Sequence, residues 1–232
     1  MRIALVHLAR KQNPPEAFTN FWKSYVDHDS GADHDVIIIW KNFIGADHPN
    51  VSDKANVRHV VMPDQGRDID VYFKVSKMFD YDVFLFLNSW SEINKDGWLN
   101  DMRNAMRDRV GLVGAFSSQE SHRTNIIQGF RKIWTPSPLW EKLVRPIHGC
   151  YRWLRLGIHV PPYPNFHVRT NGFMIRKEVM LQIHKPFIFD KIIAWKFESG
   201  RDSLTMQVRR LGHEIVCLDE CKLIVDNRVR TR

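Results

Sequence analysis

Cysteine is scarce in this sequence: 232 residues carry three, Cys150, Cys217 and Cys221. An odd set with no repeated spacing excludes a disulfide scaffold and fits a reducing compartment. Cys217 and Cys221 lack a nearby histidine pair, so they make a poor zinc site. Long apolar runs are missing as well. Val83–Leu87, among the longest, falls far short of the roughly 20 residues a membrane-crossing helix requires. The stretch after Met1 is too brief for a signal-peptide core. These absences predict a soluble, cytoplasmic protein. No G-x-G-x-x-G follows the first apolar run, and Walker A and G-x-S-x-G patterns are absent, which argues against dinucleotide dehydrogenases, P-loop NTPases and α/β-hydrolases. The eleven histidines are scattered without metal-ligand spacing, and His7 reads as a satisfied interior residue. Acid is the minority charge: 26 Asp and Glu against 34 Lys and Arg give a net +8. Such a surface favours anionic partners, whether nucleotides, lipid head groups or nucleic acid.

What is present alternates. Ile3–Leu8 and Val36–Trp40 are continuous β-branched runs, the pattern of strands buried on both faces. Val57–Met62 is a weaker third and Asp82–Leu87 a strong fourth. Between the first two, Phe18, Phe21, Trp22 and Tyr25 recur at helical spacing within Pro15–Val26. Val71, Val75, Met78 and Phe79 repeat this over Asp70–Phe79. Strands alternating with amphipathic helices predict βαβ units and a mostly parallel sheet. Lys95–Arg109 reads as a helix and Val110–Phe116 as a further strand. Ser117 to about Pro164 reads as irregular. Val168–Arg176 then reads as a strand, Lys177–His184 and Ser203–Leu211 as helices, and Glu214–Leu218 as a last strand. One domain over residues 1–232, carrying an insertion, is the economical organisation.

In open α/β sheets, ligands lie beyond the carboxyl ends of the strands. Asp64–Asp70 (DQGRDID) occupies such a place: Gly66 allows a tight turn, Arg67 offers a fork of donors to phosphate, and Asp68 can accept from a hydroxyl. Asp68 is equally suited to capping the helix that follows. Asn88 and Ser89 end the strongest strand, where polar groups can meet a sugar, or simply begin a loop. Glu92 follows as a candidate contact or a solvated charge.

Seven stretches occur in one order along nearly the whole chain: SYVDHDSGADHDVIIIWKNF, PDQGRDIDVYFKVS, FLFLNSWSEI, VGLVGAFSSQES, FHVRTNGFMIRKEV, FESGRDSLTMQVRRLGH and VDNR. Together they resemble bacterial glycosyltransferase-like proteins of the GT-A type, related to the inverting family 2 enzymes and to rhamnan and surface-polysaccharide synthesis proteins. The resemblance implies a GT-A-like, Rossmann-like central sheet flanked by helices. It implies a nucleotide-binding half at about 1–116 and an acceptor half at about 117–232. It also implies a nucleotide-sugar donor, a glycan or lipid-linked acceptor, and inversion. By position, Arg10, Lys41, Gly66, Arg67 and Asp68 would lie near nucleotide and phosphates. Arg169, Asn171 and Gly172 would frame the acceptor side. Asp202 and Glu198 would be the two carboxylates able to deprotonate the acceptor hydroxyl, Asp202 ranked slightly first. Asp202 also suits a helix cap, and Glu198 a pairing with Arg201. Such enzymes usually carry Asp-x-Asp for Mn2+ or Mg2+, yet Asn88 and Trp90 stand where both carboxylates would be. An amide and a hydroxyl are weak ligands for a hard cation, so no metal residue is assigned. Glu92 or Asp68 could supply the charge, or basic groups could stabilise the leaving diphosphate instead.

The segment 130–155, FRKIWTPSPLWEKLVRPIHGCYRWLR, holds six basic residues against one acid, Glu141, interleaved with Trp134, Trp140, Tyr151 and Trp153. Trp and Arg together suit the face of an anionic membrane, so peripheral contact at the inner face is one expectation; core packing of the rings is the other. A nucleic-acid module could use the same residues for stacking and phosphate neutralisation. It lacks an RNP, zinc-finger or helix-turn-helix signature, so no nucleic acid is expected as a partner.

Overall fold

The computed structural model describes residues 1–44, 48–49, 51, 57–131 and 139–226; the side chains of 131–145, 220, 225 and 226 lie outside the described set. The apolar runs become strands in the expected order. β1 (Ile3–Arg10), β2 (Asp35–Lys41), β3 (Val57–Met62) and β4 (Val83–Leu87) are joined by α1 (Pro15–Asp27) and, after β3, by α2 (Asp68–Met78). β1 pairs in parallel with β2 and β4, and β2 with β3. Two further strands, β5 (Ser91–Ile93) and β6 (Val110–Gly114), enclose α3 (Trp98–Ala105).

The second half departs more from expectation. The segment read as irregular contains β7 (Ser117–Ser118) and two helices, α4 (His122–Arg131) and α5 (Leu139–Arg155). Pro146 lies inside α5. Pro146, eighth in the helix, removes a backbone donor and hides the helical pattern in the sequence. The expected strand over Val168–Arg176 is split into β8 (His167–Val168) and β9 (Gly172–Arg176). α6 (Lys177–Gln182) follows, then α7 (Lys191–Ser199), which the sequence reading omitted. α8 (Leu204–Arg210), β10 (Glu214–Cys217) and β11 (Ile224–Asp226) complete the order.

Seven strands form one sheet in the order β10-β6-β9-β4-β1-β2-β3. It is mostly parallel, with β9 antiparallel to both β4 and β6. Alternation along β1 explains the unbroken hydrophobicity of the central strands. Ala4, Val6 and Leu8 pack with Tyr72, Phe73 and Val75 of α2, whereas Ile3, Leu5 and Ala9 pack with Phe18 and Phe21 of α1. Helices therefore cover both faces. Each fully buried aromatic here, such as Phe21 or Phe84, contributes roughly 1.5–3 kcal/mol by leaving water. The four strands β1 to β4 run the same way, so Arg10, Lys41, Met62 and Leu87 all emerge at one edge.

Candidate functional site

At that edge lies a cavity of about 420 Å³, lined by His7, Arg10, Asn13, Phe18, His48 and Ser89 among others. β1 contributes His7 and Arg10; α1, with Pro15 in its first turn, supplies the opposite wall. His7 is fully buried and makes no hydrogen bond from either ring nitrogen. Its ring lies flat on Phe21 at 3.6 Å between centroids. Burial pushes the imidazole down to about 3, so it is neutral and offers one donor and one acceptor. The expectation of a satisfied interior histidine is therefore corrected. Two more buried nitrogens beside it, Arg10 Nε and Asn13 Nδ2, also lack a partner. Unmet buried donors are rare because each costs free energy, and three around one cavity suit a polar ligand. On the far wall His48 stacks on Trp40 at 4.7 Å, and Trp40 Nε1 donates to His59 Nδ1 at 2.9 Å.

The DQGRDID loop is tied beneath the same edge. Arg10 pairs with Asp68. Lys41 has a side chain only 1% exposed; its Nζ donates to the Gly66 carbonyl at 2.5 Å and lies 3.5 Å from Asp64. Burial, reinforced by the Arg10 charge, lowers the Lys41 pKa. Gly66 sits at φ 76°, where an added Cβ would come 2.7 Å from the Asp70 carboxylate. Asp68 does not cap α2: it is the first helical residue, and Asp70 reaches back to accept from the Arg67 N–H at 2.6 Å. Arg67 is exposed.

After β4, the polar groups serve the backbone. Asn88 Oδ1 accepts from the Trp90 N–H at 2.9 Å and from Ser91 Oγ at 3.0 Å. Ser89 Oγ donates to the Leu8 carbonyl at 2.6 Å. Glu92 lies in β5, paired antiparallel with β11. The oxygens standing in for Asp-x-Asp are thus engaged, and Asp68 is paired with Arg10. Among the described residues no group of three His, Cys, Asp or Glu could hold a metal ion. The described residues at this edge do not fit Mn2+ or Mg2+.

Of the residues expected to frame an acceptor, Gly172 faces Leu87 across β4 and β9. The space a Cβ would take, 2.8 Å from the Phe116 ring, is filled by that ring, so this glycine serves packing. The Asn171 carbonyl accepts from the Asn88 N–H at 3.1 Å. Arg169 donates its backbone N–H to Phe116 and leaves Nε buried without a partner. The two candidate carboxylates separate clearly. Glu198, in the last turn of α7, accepts from Thr170 N at 2.9 Å and Thr170 Oγ1 at 3.2 Å, two residues before the β9 start. Asp202 is exposed and paired with Arg210 at 2.6 Å. Ser203, and not Asp202, caps α8 by accepting from the Met206 N–H. Beside Glu198 lies His122, whose ring meets Trp195 at 4.8 Å. Burial, then the Arg152 charge, lowers the His122 pKa, against a raising pull from Glu198. Sequence reasoning missed Asn13, His48, Thr170 and His122; Asn13, next to Pro14 and Pro15 at a strand exit, carried the one local signal.

No protein-family model and no curated protein sequence matches the chain. Solved structures match it in fold. The mannosyltransferase PcManGT from Pyrobaculum calidifontis, in complex with GDP-Man and Mn2+, aligns at TM-score 0.53 and 8% identity over 93% of this chain and 54% of that one. S. aureus TarS 1–349 aligns at TM-score 0.51 and 14% identity over 95% of this chain and 58% of that one. The chain spans little more than half the length of these neighbours. At such identities the likeness establishes architecture alone: the molecule has a GT-A-like glycosyltransferase fold.

Proposed function

We propose that this chain transfers a sugar from a nucleotide-diphosphate-sugar to a hydroxyl of a glycan or lipid-linked acceptor in surface-polysaccharide synthesis, with inversion. The observation that carries the reading is the set of four unmet nitrogens, two on His7 and one each on Arg10 and Asn13, around the cavity at the β1 exit. A nucleobase edge presents matching donors and acceptors, and Phe18 and His48 supply apolar and stacking walls. Arg10, with the exposed Arg67 of the neighbouring loop, meets the diphosphate; the buried Lys41 holds the Gly66 loop and acts by positioning. Residues 1–116 form the donor half and 117–232 the acceptor half of one domain.

Glu198 is the group suited to accept the acceptor proton. The acceptor oxygen attacks the anomeric carbon, its proton passes to the Glu198 carboxylate, and the bond to the diphosphate breaks with its electrons leaving on oxygen. Thr170 aims the carboxylate through two hydrogen bonds. Asp202 is the weaker candidate, because Arg210 already neutralises it at an exposed surface. The charge that grows on the diphosphate is met by guanidinium groups, and no metal is required. A peripheral seat on anionic membrane through 130–155 would bring a lipid-linked acceptor within reach. Among the described residues no helix is long and apolar enough to cross a membrane.

The altered Asp-x-Asp position favours one second reading, a catalytically silent binding protein of the same fold. A thermal-shift screen with UDP-, GDP-, CMP- and dTDP-sugars, with and without Mn2+, followed by turnover of the stabilising donor, separates the two. Metal-independent stabilisation with donor cleavage supports the transferase. Stabilisation without any cleavage supports the silent protein, and salt-sensitive RNA binding with no nucleotide response overturns both.

A further inference from the structure

The four unmet nitrogens of the β1 cavity differ in kind. Arg10 Nε and Asn13 Nδ2 can only donate, whereas the neutral His7 ring offers one N–H and one bare nitrogen. The set therefore supplies donors on three side chains and an acceptor on one. All three residues line the same cavity. Each is held from outside it: Phe21 stacks on the His7 ring, Asp68 pairs with Arg10 Nη2, and the Asn13 N–H donates to the Arg10 carbonyl at 3.1 Å. Another polar group of the lining is already engaged, since Ser89 Oγ donates to the Leu8 carbonyl at 2.6 Å. The flat walls are set as well. Phe18 meets Trp40 at 4.7 Å between centroids, and Phe43 meets the same indole at 5.2 Å. Rings already held by protein lose little freedom when a base stacks on them.

We infer that the cavity selects a pyrimidine nucleoside diphosphate over a guanosine one, with the bare His7 nitrogen as the group that reads the base. Uracil presents two carbonyl acceptors flanking one N–H donor, and cytosine likewise presents two acceptors and one donor group. Either edge matches a donor-rich wall that holds a single acceptor. Guanine inverts the ratio on its pairing edge, with one acceptor against two donor groups. Its other polar edge offers two acceptors and leaves the His7 acceptor empty. At a buried contact, a base that leaves one group unmatched binds more weakly than a base that meets them all. The inference rests on the proposed sugar-nucleotide reading and names the donor class for it. Within that site Arg10 serves the base through Nε and the diphosphate through its outer nitrogen.

Calorimetry of the full chain with UDP, CDP and GDP tests this. UDP and CDP should each bind about tenfold or more tighter than GDP. N3-methyl-UDP keeps both carbonyls and loses the N–H, so the parent should bind it about tenfold more weakly than UDP. His7→Leu lacks the acceptor and should hold UDP and N3-methyl-UDP within about threefold of one another. That convergence separates reading by His7 from crowding by the methyl group, which would persist in the variant. The three diphosphates compared on the parent chain decide the base preference even where His7→Leu folds poorly. GDP binding as tightly as UDP overturns the inference and leaves the transferase reading in place. A methyl penalty undiminished in His7→Leu overturns the role of His7. No response to any of the nucleotides sinks the donor reading itself, and this inference with it.

Discussion

His7 and Phe21 stack with their planes 2° apart and centroids 3.6 Å apart, and this contact fixes a neutral imidazole in the wall of the β1 cavity. The helix that provides Phe21 holds the ring face; no protein group meets either ring nitrogen.

Acid should destabilise the protein through this histidine. Its pKa is 6.5 when exposed and about 3 in the fold, so below the exposed value the unfolded chain binds a proton that the native state refuses. Stability is therefore fully present above pH 6.5 and is lost at up to ~1.4 kcal/mol per unit as pH falls toward 3. Urea melts of the parent and of His7→Phe across this window should show a slope attributable to His7 that the variant lacks.

Nucleotide binding should depend on the same nitrogens. His7→Leu keeps the apolar contact with Phe21 and removes the donor and acceptor. It should weaken nucleotide binding by about five- to 150-fold, as expected for about 1–3 kcal/mol. Calorimetry with the donor that stabilises the parent measures this.

The two late carboxylates should behave differently. Glu198→Gln retains an oxygen for Thr170 and loses the base, so kcat should fall by about 10²–10⁴ with little change in melting temperature. Asp202→Asn breaks only the exposed pair with Arg210, and should leave turnover near parent and stability within about 0.5 kcal/mol. The reverse pattern would return Asp202 to first place.

Removing divalent cations should not matter. Asn88 and Ser89 direct their oxygens into the backbone, so turnover in excess EDTA should equal turnover with Mn2+. A strict requirement for added metal would contradict this reading of the β4 exit.

Gly66→Ala should loosen the loop that Lys41 grips. Its left-handed backbone costs an L-residue about 1–2 kcal/mol, and the new methyl meets Asp70. Thermal unfolding should report a loss of that size, with weakened nucleotide affinity as the loop shifts.

The architecture of the first half was legible because β1, β2 and β4 are buried on both faces, and that demands unbroken runs such as Ile37–Trp40. The exit residues followed from strand polarity, so Arg10, Lys41 and Ser89 do meet at one edge. What each does there was not legible. Lys41 turns inward to Gly66 instead of facing out, and Asp70 takes the cap that Asp68 was suited to, because both depend on how the loop folds back over the strands. α5 was hidden by Pro146 and by its crowded Trp and Arg residues, which read equally well as an irregular basic segment. The distinction between Glu198 and Asp202 rests on Thr170, 28 positions away from Glu198, a contact that no local pattern announces. His7 shows the same limit: a histidine inside a strand is usually satisfied, and only the placement of α1 leaves this one without a partner.

Side-chain ¹⁵N spectra of the histidines, recorded at neutral pH while a sugar nucleotide is titrated in, test the central claim most directly. The account predicts that the His7 nitrogens begin in a neutral tautomer and shift together with ligand occupancy. Saturation of the protein by nucleotide with the His7 resonances unmoved would contradict it.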